Sequence, residues 1–219
     1  MMENVKKPLP KKLIGITGNY CAGKNHVALL LEQRSIPVLD VDKLGHAVIE
    51  KEKDSLVSRF GEDILGADGF VDRRRLGDKV FGRPKELLSL EEIIHPAVNR
   101  ETQAWIDGQG EKTCAVNAAL LHRSSAFGML DAVIVVRAPF IVRLLRAKKR
   151  DRLPLAALLR RFQSQRGFGY QLFKGKTDIY IVDNSACFSL IFFGTSKNSA
   201  GNKLEKQIEE ILSDIFSEN

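Results

Sequence analysis

Residues 18–25 read GNYCAGKN and fit the phosphate-binding loop pattern G-x-x-x-x-G-K-[ST] except at the last position, where Asn25 replaces serine or threonine. Gly18 and Gly23 allow the backbone to curl and to approach an anion without a Cβ in the way. Lys24 supplies a mobile positive charge that suits the β- and γ-phosphates of a nucleotide. Residues of these types at this spacing predict a site for a nucleotide polyphosphate.

The residues on either side of this loop predict the elements that position it. An apolar run at 13–17 (LIGIT) is typical of a buried strand, and Val27, Leu30 and Leu31 recur at helical spacing after the loop. A strand, a turn and a helix in this order place backbone N–H groups and the positive end of a helix dipole at the loop. The alternative is a surface turn that holds two glycines and a lysine by chance, and the flanking elements favour the nucleotide site.

The composition is that of an ordinary globular protein with one domain. The chain has 219 residues, of which 44% are hydrophobic and 28% are charged. No stretch approaches the roughly 18 to 20 apolar residues that cross a bilayer, so we expect no membrane partner. The N-terminal residues lack the apolar stretch of a secretory signal, which predicts a cytoplasmic location.

The three cysteines, Cys21, Cys114 and Cys187, are widely spaced and odd in number, which suits neither a disulfide framework nor a zinc site. Cys21 lies inside the phosphate loop, where the helix dipole is able to lower the pKa of a thiol. The simpler interpretation of Cys21 is a small residue with a free backbone N–H.

The positive charge is concentrated in one segment. The net charge is +7, and residues 143–166 contain nine basic residues and one acid, Asp151. Such a segment predicts a surface that handles phosphate, with a solvated helix face as the alternative. The segment has few aromatic residues and no nucleic-acid-binding signature, so we expect no nucleic-acid partner.

Alternating strand and helix patterns predict an α/β domain with a mainly parallel sheet. The strands are predicted at 13–17, 36–39, 113–121, 132–136 and 179–182, and the helices at 42–60, from 84 onward, at 139–150 and at 204–215. Pro96 predicts a kink or break in the second helix beside His95. The segment 185–203 has no assigned structure; an additional edge strand is one interpretation, and an oligomer contact is a less favoured one.

Asp40 and Asp42 follow the second predicted strand, and ligands of parallel sheets bind at the carboxyl ends of the strands. A carboxylate there can orient a nucleophilic hydroxyl, accept its proton or hold a metal-bound water. For Asp42 the alternative is a helix N-cap, since a helical pattern follows it.

Several segments together carry a resemblance to a known family. They are, in chain order, IGITG…AGK, VLDVDKLGHAV, FGEDIL…DGFVDRRRLGDKVF, LEEIIHPAV, DAVIVVRAP, RRFQSQ and DIYIVDN. Their order and spacing resemble the dephospho-coenzyme A kinase family from about Leu13 to Asn184. The resemblance implies transfer of the γ-phosphoryl group of ATP to the ribose 3′-hydroxyl of dephospho-coenzyme A, with Mg²⁺ as cofactor.

The resemblance also implies a fold and a set of sites. The fold is the three-layer P-loop kinase fold, with a mainly parallel sheet flanked by helices. Residues 1–12 form a tail and 13–219 a single domain, with a helical acceptor-binding region at about 42–110 and a basic lid at about 150–170. The oligomeric state does not follow from the sequence.

By position in the matching segments, the resemblance assigns a role to individual residues. The residues around the ATP phosphates are Gly18, Asn19, Tyr20, Cys21, Ala22, Gly23, Lys24, Asn25 and His26. Asp42 is the base, and Lys24 and Arg150 complete the catalytic group. Asp42, Arg73 and His95 lie on the acceptor side. Arg150 stands fifteen residues before Gln165, as the arginine and glutamine of the family's lid do.

The chain departs from the family pattern at three places. Asn25 replaces the hydroxyl associated with Mg²⁺ and is a weaker ligand, so Asn25→Ser is expected to lower the Mg²⁺ requirement. Arg123 stands where the family's Pro-Leu-Leu-x-Glu segment has an acid, and the stretch after Gln165 is longer and includes IFFG. Two alternatives therefore stay open, namely a nucleotide-binding regulator descended from a kinase and a P-loop kinase with another acceptor.

Overall fold

The computed structural model describes residues 10–164, 177–185 and 197–217. The strands are Leu13–Gly18 (β1), Val38–Asp40 (β2), Cys114–Asn117 (β3), Ala132–Arg137 (β4) and Asp178–Asp183 (β5). The α-helices are Lys24–Glu32 (α1), Val41–Lys51 (α2), Lys53–Phe60 (α3), Arg73–Val80 (α4), Pro84–Gly108 (α5), Phe140–Asp151 (α6), Leu155–Ser164 (α7) and Lys197–Ser217 (α8). Short 3-10 helices lie at Glu62–Ile64, Leu121–Arg123 and Ser125–Met129.

The five strands form one sheet in the order β2-β3-β1-β4-β5. Strand β1 pairs in parallel with β3 and with β4, and β4 pairs in parallel with β5. All six residues of β1 are buried, as expected for a central strand with helices on both faces. Because parallel strands end at the same edge, the residues that follow β1, β3 and β5 gather there.

The chain divides into two compact units, one made of residues 1–38 and 109–219 and the other of residues 39–108. In the first unit, Ile14 and Ile134 of the sheet pack in one apolar cluster with Leu31 of α1 and Ile208 of α8. Full burial of each such side chain stabilises the fold by roughly 1.5 to 3 kcal/mol. This core holds β1 and α1, and therefore the loop between them, in place.

The second unit, residues 39–108, has its own apolar cluster. Leu56 and Phe60 of α3 pack there with Leu76 and Val80 of α4, and Ile94 of α5 packs against them.

Three predicted elements differ in the structure. The helix predicted at 42–60 is two helices, because Glu52 between them leaves the helical conformation (φ −94°, ψ 19°). The strand predicted at 113–121 ends at Asn117. Of the kink or break predicted beside Pro96, the break is wrong, since α5 continues through the proline. The proline removes one helical hydrogen bond, and the packing of the neighbouring Ile94 and Ala97 offsets that loss.

Some predictions fall on residues outside the described ranges. These are the tail at 1–9, Gln165 with the second half of the predicted lid, and 186–196, which includes the IFFG stretch. Helix α8 begins at Lys197, so the C-terminal helix is longer than predicted. Among the described residues, no helix has the length and apolar character needed to cross a membrane.

Candidate nucleotide-binding site

The loop between β1 and α1 depends on two glycines that other residues could not replace. Gly18 has φ 151°, and a Cβ there would lie 2.2 Å from the backbone oxygen of Val136. Gly23 has φ 104°, and a Cβ there would lie 2.1 Å from Nδ2 of Asn184. Both positions therefore require glycine for conformation and for space, as the phosphate-loop pattern predicts.

Two side chains hold the loop through one carbonyl group. Nδ2 of Asn184 donates to the backbone oxygen of Ala22 at 2.9 Å, and Nη1 of Arg146 donates to the same oxygen at 3.0 Å. Nη2 of Arg146 also donates to the backbone oxygen of Asn184 at 2.9 Å. Asn184 directly follows β5 and is 5% exposed. These contacts fix the loop conformation and leave the start of α1 facing the cleft described next.

Gly23→Ala is expected to lower the free energy of unfolding by roughly 2 to 4 kcal/mol, since it adds left-handed strain and displaces the amide of Asn184. The matched control is Gly108→Ala, because a Cβ there meets nothing within 4 Å. Urea unfolding of both variants, together with ATP binding, measures the effect. A Gly23→Ala variant as stable as Gly108→Ala would contradict the loop geometry.

The loop lines a cleft of about 550 Å³. Its lining residues are Cys21, Ala22, Gly23, Lys24, Asn25, Arg146, Lys149 and Arg150. All four charged residues among them are cations, and the start of α1 adds the positive end of a helix dipole. A cleft with this lining favours a polyanion of the size of a nucleotide phosphate chain.

Lys24 and Asn25 occupy the first turn of α1. Nζ of Lys24 lies 3.4 Å from the backbone oxygen of Gly18, which keeps the ammonium group beside the loop. Oδ1 of Asn25 accepts a hydrogen bond of 3.1 Å from Nδ2 of Asn117, the last residue of β3. The side chain at the position that departs from the phosphate-loop pattern is therefore held by a neighbouring strand.

Arg150 is positioned by a cluster of polar and aromatic side chains. Nε of Arg150 donates to Oδ1 of Asp151 at 2.7 Å, and its guanidinium lies 5.1 Å from the ring centroid of Tyr20. The hydroxyl of Tyr20 donates to Oδ2 of Asp151, which also accepts from Nη1 of Arg161 at 3.1 Å. Tyr20 thus ties the loop to the ends of α6 and α7.

The pKa values of this cluster reflect its contacts. The hydrogen bond from Arg150 holds the pKa of Asp151 below its ordinary value, and the same contact raises the pKa of Arg150. Burial, followed by the hydrogen bond to Asp151, raises the pKa of Tyr20. Burial also raises the pKa of Cys21, which favours the simpler interpretation of this residue over a thiol whose pKa is lowered by the helix dipole. The backbone of Cys21 has a left-handed conformation (φ 57°), which few non-glycine residues in the described part of the chain share.

The basic segment predicted as one phosphate-handling surface is divided in the structure. Lys149 and Arg150 line the cleft, whereas Arg143 lies over the rings of Phe140 and Phe162 at 5.9 and 5.2 Å. Burial lowers the pKa of Arg143. Part of the positive excess therefore packs α6 against α7.

Asp151→Asn is expected to destabilise the protein by roughly 1 to 3 kcal/mol at neutral pH, since it weakens charge-assisted hydrogen bonds. The pKa of Asp151 is lower in the folded protein than in the unfolded chain, where it is about 4. The stabilisation by ionised Asp151 is therefore fully present above this unfolded pKa and is lost as the pH falls through the folded pKa. The melting temperatures of the wild-type protein and of Asp151→Asn should differ most at neutral pH and converge as the pH falls below about 4. A constant difference across this range would contradict the assignment.

The three residues predicted on the acceptor side belong to the second unit. Asp40, at the end of β2, caps α2 by accepting a hydrogen bond of 3.1 Å from the backbone N–H of Lys43. The N-cap alternative for Asp42 is therefore wrong, and Asp42 is exposed in the first turn of α2. Arg73 is the exposed first residue of α4, and His95 is exposed on α5.

The second unit also contains a cleft of about 560 Å³. Its lining residues are Arg59, Phe60, Asp63, Arg75, Asp78, Lys79, Arg83 and Glu86. The ion pairs Lys79–Asp63 at 2.7 Å and Arg59–Glu86 at 2.8 Å neutralise part of its charge. The described residues that line this cleft do not include Asp42, Arg73 or His95.

Sequence reasoning missed Asn117, Arg146 and Asn184. Asn117 ends an apolar strand and Asn184 follows one, so the rule that ligands bind at the carboxyl ends of parallel strands could have found both. Arg146 was counted only as one charge in a basic segment, and nothing in the sequence distinguishes it from its neighbours.

Comparisons with known proteins give one consistent family. The family model described as Dephospho-CoA kinase matches residues 12–186. Dephospho-CoA kinase of Treponema pallidum (strain Nichols) is 35% identical over 182 residues, which cover 78% of this chain and 86% of that protein. The crystal structure of TT1252 from Thermus thermophilus matches with a TM-score of 0.73 and 27% identity, over 94% of this chain and 98% of that one.

A further solved structure supports the fold. Dephospho-CoA kinase from Campylobacter jejuni matches with a TM-score of 0.61 and 21% identity, over 94% of this chain and 98% of that one. At this identity the match shows the fold alone. It confirms the predicted α/β fold, with a parallel sheet flanked by helices as in P-loop kinases.

Proposed function

This chain belongs to the dephospho-CoA kinase family, and we propose that it transfers the γ-phosphoryl group of ATP to the ribose 3′-hydroxyl of dephospho-CoA, which yields CoA and ADP. The observation that carries the proposal is the glycine-dependent loop between β1 and α1, which opens into a cleft whose charged lining residues are all cations. The match of the family model over residues 12–186 adds the acceptor, which the loop alone does not specify.

Each part of the loop has a role in holding the nucleotide. The backbone N–H groups at the start of α1 bind phosphate oxygens, and residues 18–26 surround the phosphate chain. Lys24 compensates charge on the β- and γ-phosphates as that charge shifts during transfer. Ala22, whose carbonyl is held by Arg146 and Asn184, keeps the loop in the shape that this requires.

Asp42 accepts the proton of the acceptor hydroxyl. The oxygen of that hydroxyl then forms a bond to the γ-phosphorus as the bond from this phosphorus to the β–γ bridging oxygen breaks, and ADP leaves with the bridging oxygen. The capping role at the start of α2 belongs to Asp40, which leaves the exposed carboxylate of Asp42 for this proton transfer. Arg73 and His95 bind the acceptor in this proposal.

Arg150 contributes positive charge to the transferred phosphoryl group. Asp151 uses two of the five guanidinium N–H donors of Arg150, and Tyr20 supports the guanidinium plane. The guanidinium has further N–H donors, from which phosphate oxygens can accept. Asp151 is in this respect a positioning residue for Arg150.

The residues present fit a magnesium ion that arrives with ATP. In residues 10–164, 177–185 and 197–217, no group of three or more His, Cys, Asp or Glu side chains could hold a metal ion. Mg²⁺ commonly takes substrate phosphates and water as most of its ligands, and Asn25 offers an amide oxygen at the loop. When bound, the ion neutralises charge on the β- and γ-phosphates.

The direct test combines the purified protein, Mg-ATP and dephospho-CoA and measures CoA and ADP by mass spectrometry. We expect equal amounts of both products. If a folded protein binds ATP without turnover, the nucleotide-binding regulator is the better explanation, and the neutral Asn25 is the observation that favours it. A thermal-shift panel of other nucleosides and nucleotides tests the remaining alternative, because only the true acceptor stabilises the protein by about RT ln(1 + [L]/Kd).

A further inference from the structure

Two amide side chains meet at the position where the loop departs from the usual pattern. Nδ2 of Asn117 donates to Oδ1 of Asn25 at 3.1 Å. Asn117 is 3% exposed and lies beside Ile16 of β1 in the sheet, whereas Asn25 is exposed at the cleft. A fixed, buried amide therefore holds a solvent-facing one.

The buried amide has a second notable feature. Among the described residues, Oδ1 of Asn117 has no hydrogen-bond partner. A buried carbonyl oxygen without a partner is tolerated more readily than a buried N–H without one. The interior around Asn117 therefore favours the orientation in which its NH₂ group faces Asn25, and this orientation in turn directs the oxygen of Asn25.

We propose that Asn117 is a positioning residue for magnesium and that it acts through Asn25. An amide oxygen has two lone pairs, so Oδ1 of Asn25 can accept from Asn117 and still offer one lone pair to a cation. If the amide of Asn25 turned over, it would present its NH₂ group, which cannot bind a metal ion. The hydrogen bond from Asn117 prevents that turn. This inference rests on the proposed function, since it takes Mg-ATP as the ligand of the loop.

The donor and the acceptor in this pair are exchanged relative to the arrangement usual in P-loop enzymes. There a Ser or Thr hydroxyl and a carboxylate hold Mg²⁺, and a carboxylate can only accept a hydrogen bond. In this chain the side chain that contacts Oδ1 of Asn25 is that of Asn117, and it donates. A single Asn25→Ser change would place a short hydroxyl opposite a buried NH₂ group and leave that group without its acceptor. The gain expected for Asn25→Ser from the sequence alone therefore requires a matching change at position 117.

The test is a double-mutant cycle of Asn25→Ala and Asn117→Leu. The readout is the affinity of Mg²⁺ for the complex with ADP, which does not react, measured by calorimetry. Each single variant should weaken Mg²⁺ binding roughly tenfold, as for other residues that orient metal ligands. ADP affinity without metal should change less than about twofold, because the backbone of the loop is untouched. The double variant should be no worse than Asn25→Ala alone, since Asn117 acts only through Asn25.

Two outcomes would overturn the proposal. One is unchanged Mg²⁺ affinity in a folded Asn117→Leu variant. The other is losses that add in the double variant, which would mean that Asn117 acts independently of Asn25. CoA formation by the wild-type protein, assayed separately, tells whether the proposed function itself fails.

A second set of variants keeps the proposal testable if Asn117→Leu does not fold. Asn25→Ser and Asn117→Asp should each lower the melting temperature and bring no gain in Mg²⁺ affinity for the ADP complex. The combined variant restores a hydroxyl donor facing a carboxylate acceptor, so it should bind Mg²⁺ more tightly than either single variant. If Asn25→Ser alone binds Mg²⁺ as tightly as the combined variant, the pairing has no effect and the proposal is wrong.

Discussion

Asp42→Asn should reduce kcat by roughly 10² to 10⁴, because the amide retains the shape of the side chain and cannot accept the proton of the acceptor hydroxyl. ATP affinity should be nearly unchanged, since Asp42 belongs to the first turn of α2 and the phosphate loop precedes α1. Single-turnover measurement of CoA formation at saturating substrates, with ATP binding measured by calorimetry, separates the two quantities.

The matched control is Asp40→Asn, two residues earlier. The side chain of Asp40 caps α2 and lies 3.6 Å from Nζ of Lys43. Its replacement should cost stability, by about 1 kcal/mol or less because Asn also caps helices well, and should leave most of kcat. The opposite pattern, a stable and active Asp42→Asn variant beside an inactive Asp40→Asn variant, would assign the base to Asp40.

The phosphate loop could be predicted closely because its causes are local. Gly18 and Gly23 are required by positive φ angles and by close approach of Val136 and Asn184, and the pattern G-x-x-x-x-G-K encodes those requirements in seven adjacent positions. The strand and the helix beside the loop follow from apolar periodicity over a few residues. Nothing distant in the chain has to be known.

The contacts that hold the loop could not be predicted in the same way. Asn117 reaches Asn25 across 92 positions, and Asn184 reaches Ala22 across 162 positions. Such pairs depend on the order of strands in the sheet, which periodicity does not specify. The N-cap shows the same limit at short range, because Asp40 and Asp42 are equally good capping residues by type, and only the end of β2 decides between them.

Lys24→Ala should lower kcat by roughly 10² to 10³, the cost typical of removing one group that stabilises charge in a transition state. ATP affinity should fall by less, because the backbone N–H groups of the loop and Arg150 still bind the phosphate chain. Nζ of Lys24 lies 3.4 Å from the backbone oxygen of Gly18, which is longer than an ordinary hydrogen bond, so losing this contact should cost little stability. Parallel titration of ATP binding and of turnover measures the split.

Lys149→Ala is the control, since Lys149 lines the same cleft from α6 and is exposed. Removing its charge should change kcat by less than about fivefold, because a solvated charge contributes little. Lys24→Arg should not restore the rate, since a planar fork does not replace a compact ammonium group at a closely fitted phosphate. If Lys24→Ala instead lowered ATP affinity as much as kcat/KM and left kcat intact, Lys24 would bind ground state and transition state equally, and its catalytic assignment would be wrong.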